Sequence, residues 1–459
     1  VGKSKAEVAK RVIGAEFRAA LWAVRHPGMV AVPSSLAASA WQFGPTVTGI
    51  GVGAVVAGTV GWYRAHPDTF DTVAAPWLRS WRRRWASAYS GHLWRHLMAD
   101  CGLTREHRKT KHLLYPRVVR VRSWSPSVDT VTVALVPGQS TRKFIEAAES
   151  LAESLRAERV AVERHRPGQV VLVVQRDEPF TEIIPAPVMP LDVEDVDLSS
   201  VYVGETEYGH DWREPMLGAH FLNAGATGAG KNSIGLAKAR SVAPLIRDGL
   251  VKLWVCDPKL FEFSMLEPIL EGRYANSPDD CLDLVEQFAN GMEATQRRMK
   301  RAGVRSVPVS REYPLHWLLI DEIGSLLAYR PEVAHEMIGQ LSMVASMGRA
   351  THHSLDVYIQ EPSKDVIPIR DLLPNRVCLR VNSASHPDMV LGDGARERGA
   401  IADQLPAEES AAGIGFRRDQ RSRVPRRVRA AYTSDDDIKE LVDFVKSSES
   451  DSPNLRAVA

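Results

Sequence analysis

Residues 221–235 read FLNAGATGAGKNSIG. A short apolar run leads into a glycine-rich turn, and the turn into a stretch that reads as a helix. Gly225, Gly230 and Lys231 stand in G-x-x-x-x-G-K spacing, with Gly228 between them. Glycine is needed there because the turn uses backbone angles that other residues resist, and because amides must close on phosphate oxygens without Cβ atoms in the way. The helix that follows points its positive end at the same anion, and Lys231 can reach the β and γ phosphates. The candidate phosphate-binding residues are Gly225, Ala226, Thr227, Gly228, Ala229, Gly230, Lys231, Asn232 and Ser233. One letter departs from the full motif: the residue after the lysine, normally a Ser or Thr that ligates Mg²⁺, is Asn232, and the serine follows one place later. An amide oxygen can coordinate Mg²⁺, Ser233 could take its place with a small shift of the helix start, or hydrolysis could be lost.

The bare pattern also arises by chance, so context decides. Ninety residues on, HWLLIDEIGSLL is an apolar strand ending in Asp321-Glu322. That is where a second acidic motif belongs, with Asp321 holding Mg²⁺ through water and Glu322 orienting and deprotonating the attacking water. Two carboxylates could instead simply open a helix, but the glycine loop weighs against that. Three further apolar strands, VKLWVC before Asp257, SLDVYI before Gln360 and VCLRV before Asn382, also end in polar residues. A doubly wound parallel sheet presents ligand groups at its carboxyl edge in this way. Between them, Cys281, Val285, Phe288, Met292 and Met299 mark a helix face read as core.

Upstream, residues 118–174 read as a small α+β unit, with alternating RVVRVRSW and TVTVALV, an amphipathic helix over residues 141–156, and VAVERH and QVVLVVQR. Residues 179–197, rich in proline and acids, read as a linker. Residues 79–122 carry twelve Lys or Arg and two acids, interleaved with tryptophans. Such a stretch could meet lipid headgroups, grip DNA phosphates, or be a solvated basic linker. Residues 26–63 hold no Asp, Glu, Lys or Arg, enough for a two-helix hairpin where one span needs about 20 residues. Basic flanks on both sides would keep both ends in the cytoplasm. A cleaved signal peptide and a buried soluble hairpin are the competing readings.

The whole chain has 459 residues, 44% hydrophobic and 25% charged, which excludes collagen-like, disulfide-scaffold and wholly disordered classes. A net charge of +2 makes any argument for nucleic acid a local one. Four scattered cysteines supply no zinc spacing and suit a reducing compartment.

The strings AGATGAGKNS, VCDPKLFEFSML, MEATQRRMKRAGVRSV, LLIDEIGSL, YIQEP and NRVCLRVNSASHPDMVLGDGA stand in order. In them the chain resembles the FtsK/SpoIIIE family of double-stranded DNA translocases, and more narrowly the single-motor transfer proteins of actinomycete conjugative plasmids and integrative elements. The resemblance runs from about residue 116 to 445. It implies an α/β fold, a RecA-like P-loop NTPase motor with a small α+β domain before it and an N-terminal membrane hairpin. On it Lys231 is the phosphate lysine, Asp321 the magnesium acid and Glu322 the catalytic base. Gln360 matches the glutamine that senses the γ-phosphate, Arg349 falls where relatives carry a trans-acting arginine finger, and Asp257 and Lys259 match a motif that couples nucleotide state.

The chain so read divides into a basic cytoplasmic N-terminus (1–25), a transmembrane hairpin (26–63), a basic aromatic linker (64–116), a small α+β ring domain with linker (117–195), the motor (196–446) and a polar tail (447–459). The expected cofactors are ATP and Mg²⁺. The expected partners are double-stranded DNA, further copies of the chain in a hexamer, and the cell membrane with the motor on its cytoplasmic side. A separate DNA-recognition protein is a further expected partner, because the segment after the motor leaves no room for a winged-helix reader. Two other functions stay open: a protein-export ATPase like the type VII secretion motors, and a nucleotide-binding membrane scaffold without hydrolysis.

Overall fold

The computed structural model describes residues 27–86, 88–260, 262–329, 331–363, 366–418 and 424–447. The basic N-terminus and the polar tail beyond residue 447 lie outside them. The chain forms two units, residues 1–78 and 79–459.

In the first unit, α1 (Pro27–Phe43) and α2 (Pro45–Ala65) form a hairpin, with Ser39 Oγ 3.0 Å from Thr48 Oγ1. The break is dictated locally: Gly44 sits at φ 85° and Pro45 opens α2, where its missing N–H costs nothing. It divides the uncharged tract into helices of 17 and 21 residues. Among the described helices α2 is the one long and apolar enough to cross a membrane. α3 (Pro67–Ala86) follows.

Residues 88–116, part of the stretch read as a linker, are instead folded. α4 (Gly91–Asp100) and the two-residue ribbon β1 (Arg105–Glu106) and β2 (Leu113–Leu114) lead to a four-stranded antiparallel sheet. Its strands are β3 (Arg117–Ser123), β4 (Val128–Ala134), β5 (Arg159–Arg166) and β6 (Gln169–Gln175), in the order β3-β4-β6-β5. Helices α5 (Thr141–Glu146) and α6 (Ala148–Leu155) cover one face, and Tyr89, Trp94, Leu97 and Met98 join the same core. The basic cluster has a structural use: Arg79 donates to the Trp124 carbonyl, Arg83 to that of Pro126, and Arg84 to those of Tyr89 and Val118. These guanidiniums bond the small sheet itself.

The motor is built on a ten-stranded sheet. Its elements in chain order are β7 (Val201–Thr206), β8 (Asp211–Glu214), β9 (Phe221–Ala224), α7 (Lys231–Ser241), α8 (Ala243–Arg247), β10 (Val251–Cys256), β11 (Tyr274–Ala275), α9 (Pro278–Ala302) and β12 (Leu315–Ile320). Then come α10 (Ile323–Tyr329), α11 (Pro331–Met347), β13 (His353–Ile359), β14 (Asn375–Leu379), α12 (His386–Leu391), β15 (Ile414–Arg417), β16 (Arg426–Ala430) and α13 (Asp435–Lys446). The order is β11-β10-β12-β13-β9-β14-β15-β16-β7-β8. Pairing is parallel from β11 to β14 and antiparallel beyond. β9, β13 and β14 are buried throughout, which explains their mainly apolar runs and why the polar residues within them, such as Asn223, Asp356 and Arg376, are hydrogen-bonded inside. α9 buries Cys281, Val285, Phe288, Met292 and Met299, is capped by Ser277 and ends at Gly303 in the left-handed region.

The sheet is fixed internally by a buried ion pair. Lys238 on α7 lies 2.6 Å from Asp356 on β13, both fully buried. Asn223 on β9 donates to the other carboxylate oxygen, and the Lys238 ammonium sits over the Phe221 ring. The small sheet is joined to the motor by Arg159, which pairs with Glu207 at 2.5 Å and donates to the Gly399 carbonyl, and by Arg427, which pairs with Glu178.

Candidate active site

Parallel topology brings the carboxyl ends of β9, β10, β12 and β13 together, and the four motifs emerge there. After β9 the loop is tied down by its neighbours: the Gly225 N–H donates to the Ile359 carbonyl and the Ala226 N–H to that of Arg380. Gly228 and Gly230 have φ 72° and 80°, and a Cβ on Gly230 would come within 2.5 Å of the Gly413 nitrogen. These two positions therefore require glycine. Gly413 also donates to the Ala229 carbonyl, so the turn before β15 rests on the loop.

Lys231, at the start of α7, is 9% exposed, and its ammonium donates to the carbonyls of Gly225 and Ala226. Burial lowers its pKa, and the charges of Glu322 and Asp321 oppose that shift. Asp321, just past β12, is pushed up to about 7, mainly by burial. Below that pH a proton competes with any cation for its carboxylate. Glu322 has φ 48°, a strained backbone for a non-glycine residue at a strand end. Its Oε1 accepts the Gln360 N–H at 3.3 Å and its Oε2 lies 3.4 Å from Lys259 Nζ. Thr227 Oγ1 donates to Gln360 Oε1 at 3.3 Å. Asp257 accepts from the Phe263 N–H and the Tyr274 hydroxyl through Oδ2, while its buried Oδ1 has no hydrogen-bond partner. The Asn232 Oδ1 is likewise buried and unpartnered in the first turn of α7, followed by Ser233. A hard cation takes oxygens of this kind, so the donor set of Asn232, Ser233 and Asp321 fits Mg²⁺.

Two arginines complete the description. Arg349 lies before β13, at the opposite edge of the sheet, and the whole of the seven-residue β13, about 23 Å of strand, lies between it and Gln360. Its side chain packs on Gly218, where a Cβ would meet Arg349 Cγ at 2.8 Å. The second, Arg380, escaped the sequence reading. It directly follows β14, and its guanidinium donates to the Thr227 carbonyl at 2.7 Å. Its place at the carboxyl end of VCLRV was the available signal.

Asn232 is the point at which the motif can be tested. Asn232→Thr should shift the Mg²⁺ titration of ATP turnover to lower concentration without lowering the plateau, since a hydroxyl is the usual ligand. Both proteins should need more Mg²⁺ as pH falls through about 7, where Asp321 protonates. Complete loss of turnover in the Thr variant would give the amide a specific role.

No protein-family model matches the chain. It is 27% identical over 349 residues to the DNA translocase FtsK of Helicobacter pylori, covering 71% of this chain and 39% of the relative. To the DNA translocase FtsK of Streptococcus pyogenes it is 25% identical over 348 residues, covering 70% of this chain and 41% of the relative. Among solved structures, that of the pCW3 conjugation coupling protein TcpA, monomer form with ATPgS, covers 72% of this chain and 94% of its own, with a TM-score of 0.46 and 19% identity. The glycine loop, the acidic pair and the parallel sheet make the motor's fold that of a P-loop ATPase. Over some 70% of its length the chain is thus similar in sequence to the FtsK DNA translocases, and it spans about 40% of their length.

Proposed function

We propose that this chain is an ATP-driven motor that moves double-stranded DNA at a membrane, carrying plasmid or integrative-element DNA during conjugative transfer. The observation that carries the reading is the convergence of Lys231, Asp321, Glu322 and Gln360 at adjoining strand ends. Lys231 holds the β and γ phosphates, and Glu322 takes the proton of the attacking water while Gln360 reads the γ-phosphate. Asn232, Ser233 and Asp321 would hold Mg²⁺, which would supply charge neutralisation at the phosphates. The site of Arg349, far from its own loop, supports a role at the nucleotide of a neighbouring copy, and so a ring of identical subunits, a homohexamer. The similarity to DNA translocases supports duplex DNA as the cargo. The apolar α2 supports a membrane anchor, with the motor in the cytoplasm. Backbone contacts carry no sequence information, so site choice falls to a separate DNA-recognition protein or to a longer form of this one.

The test is ATP turnover of the full chain with and without linear duplex DNA. Stimulation by duplexes of unrelated sequence is expected, together with salt sensitivity. Stimulation by a secreted peptide and not by duplex would replace DNA with protein as the cargo.

A further inference from the structure

β10, β12 and β13 lie side by side, with Cys256 paired to Ile320 and Ile320 to Val357. β13 continues two residues past that level, to Ile359, and β12, which leads to Glu322, is the middle strand of the three. The Glu322 carboxylate is gripped from both sides, by the Gln360 N–H from β13 and by the Lys259 ammonium from the turn after β10. The Glu322 side chain is 9% exposed and that of Lys259 41%. One end of the contact is thus built in, while the other reaches in from solvent.

We propose that Lys259 is a positioning residue that restrains Glu322, keeping hydrolysis slow until the ion pair opens. The inference rests on Glu322 being the base that activates water. The ammonium is a charged partner that Glu322 must leave before its carboxylate can turn toward water. It also fixes Oε2, while Oε1 is held by Gln360, so both oxygens are engaged within the protein. A pair with one partner this exposed is weak and screened by salt, which suits a catch better than a structural strut. The turn that carries Lys259 is held at its base, between Asp257 and the buried Phe263, and its outer end is exposed at Leu260. Asp257 is fixed by Phe263 and Tyr274, whereas Leu260, at φ 62°, leaves its side chain 54% exposed. Movement of that exposed end would withdraw the ammonium without disturbing the loop that holds phosphate.

The experiment measures DNA-free ATP turnover and, separately, nucleotide affinity for the full chain, for Lys259→Met and for Lys259→Arg. The Met variant, which keeps the stem and loses the charge, should turn over about fivefold faster, with nucleotide affinity changed less than about twofold. The Arg variant, which keeps the charge, should be slower than the Met variant. Raising salt from about 50 to about 500 mM should narrow the gap between the unaltered chain and the Met variant. Turnover that falls or stays the same in Lys259→Met, or nucleotide affinity that collapses, would overturn the restraint. If instead Lys231→Ala binds nucleotide as well as the unaltered chain, the nucleotide-site reading itself fails and the restraint falls with it.

Discussion

Glu322→Gln is expected to bind ATP like the unaltered chain and to turn it over about 10²–10⁴ times more slowly, the range for loss of a positioned general base. The amide keeps the shape of the carboxylate and its Oε1 can still accept the Gln360 N–H, so the architecture of the site survives. What disappears is the basicity. Lys231→Ala should behave oppositely. Its ammonium is the buried cation that fills the centre of the loop, bonded to the carbonyls of Gly225 and Ala226. Nucleotide drawn to the loop would lose its main charged partner, and the alanine would leave those carbonyls open. Fluorescent-nucleotide titration should therefore show binding in Glu322→Gln and none in Lys231→Ala, while phosphate release falls in both. Wild-type turnover in both variants would show that the assigned site is wrong.

The second large effect concerns stability. Asp356→Ala should destabilise the second unit by about 3–5 kcal/mol, the cost of breaking a buried ion pair from one side. The Lys238 ammonium would be left fully buried against the Phe221 ring, and the Asn223 amide would lose its acceptor. Replacing both charges, as Lys238→Met with Asp356→Leu, should cost much less, because no uncompensated charge remains. Urea unfolding followed by tryptophan fluorescence distinguishes the two. Equal losses in the single and double variants would mean that packing, not charge, sets the cost.

The parallel half of the motor was legible in the sequence because its largely buried strands are mainly apolar runs, broken by single polar residues such as Asn223 and Asp356. FLNA, VKLWVC, HWLLI and SLDVYI fall in strands as expected, and VCLRV does so as far as Leu379. The antiparallel half was not legible. DWRE in β8 alternates exposed and buried, and RRVRA in β16 buries Arg427 and Arg429. An arginine run reads as surface until its partners are known, and these lie far back in the chain, at Glu178 and at the carbonyls of Phe180 and Glu182. The site motifs were legible for a different reason: glycine turns and strand-end acids have fixed spacing. The Lys259–Glu322 contact has none, since it joins residues 63 apart through strand order alone. The basic aromatic stretch likewise offered three readings, because nothing in the sequence tells an arginine bonded to carbonyls from one facing a phosphate.

The place of β9 in the sheet has a consequence for how the chain is made. This strand leads into the phosphate loop, yet its neighbours are β13 and β14, and Asn223 waits 133 residues for Asp356. At about 5–20 residues per second, a ribosome needs roughly 7–27 s to supply that partner. For that time an apolar segment with unpaired edges is exposed, next to the flexible glycine turn. The small antiparallel sheet pairs far closer in sequence and can close earlier. The nascent chain thus passes through a stage with its small sheet folded and its motor open, and in that interval β9 lacks both of its strand neighbours.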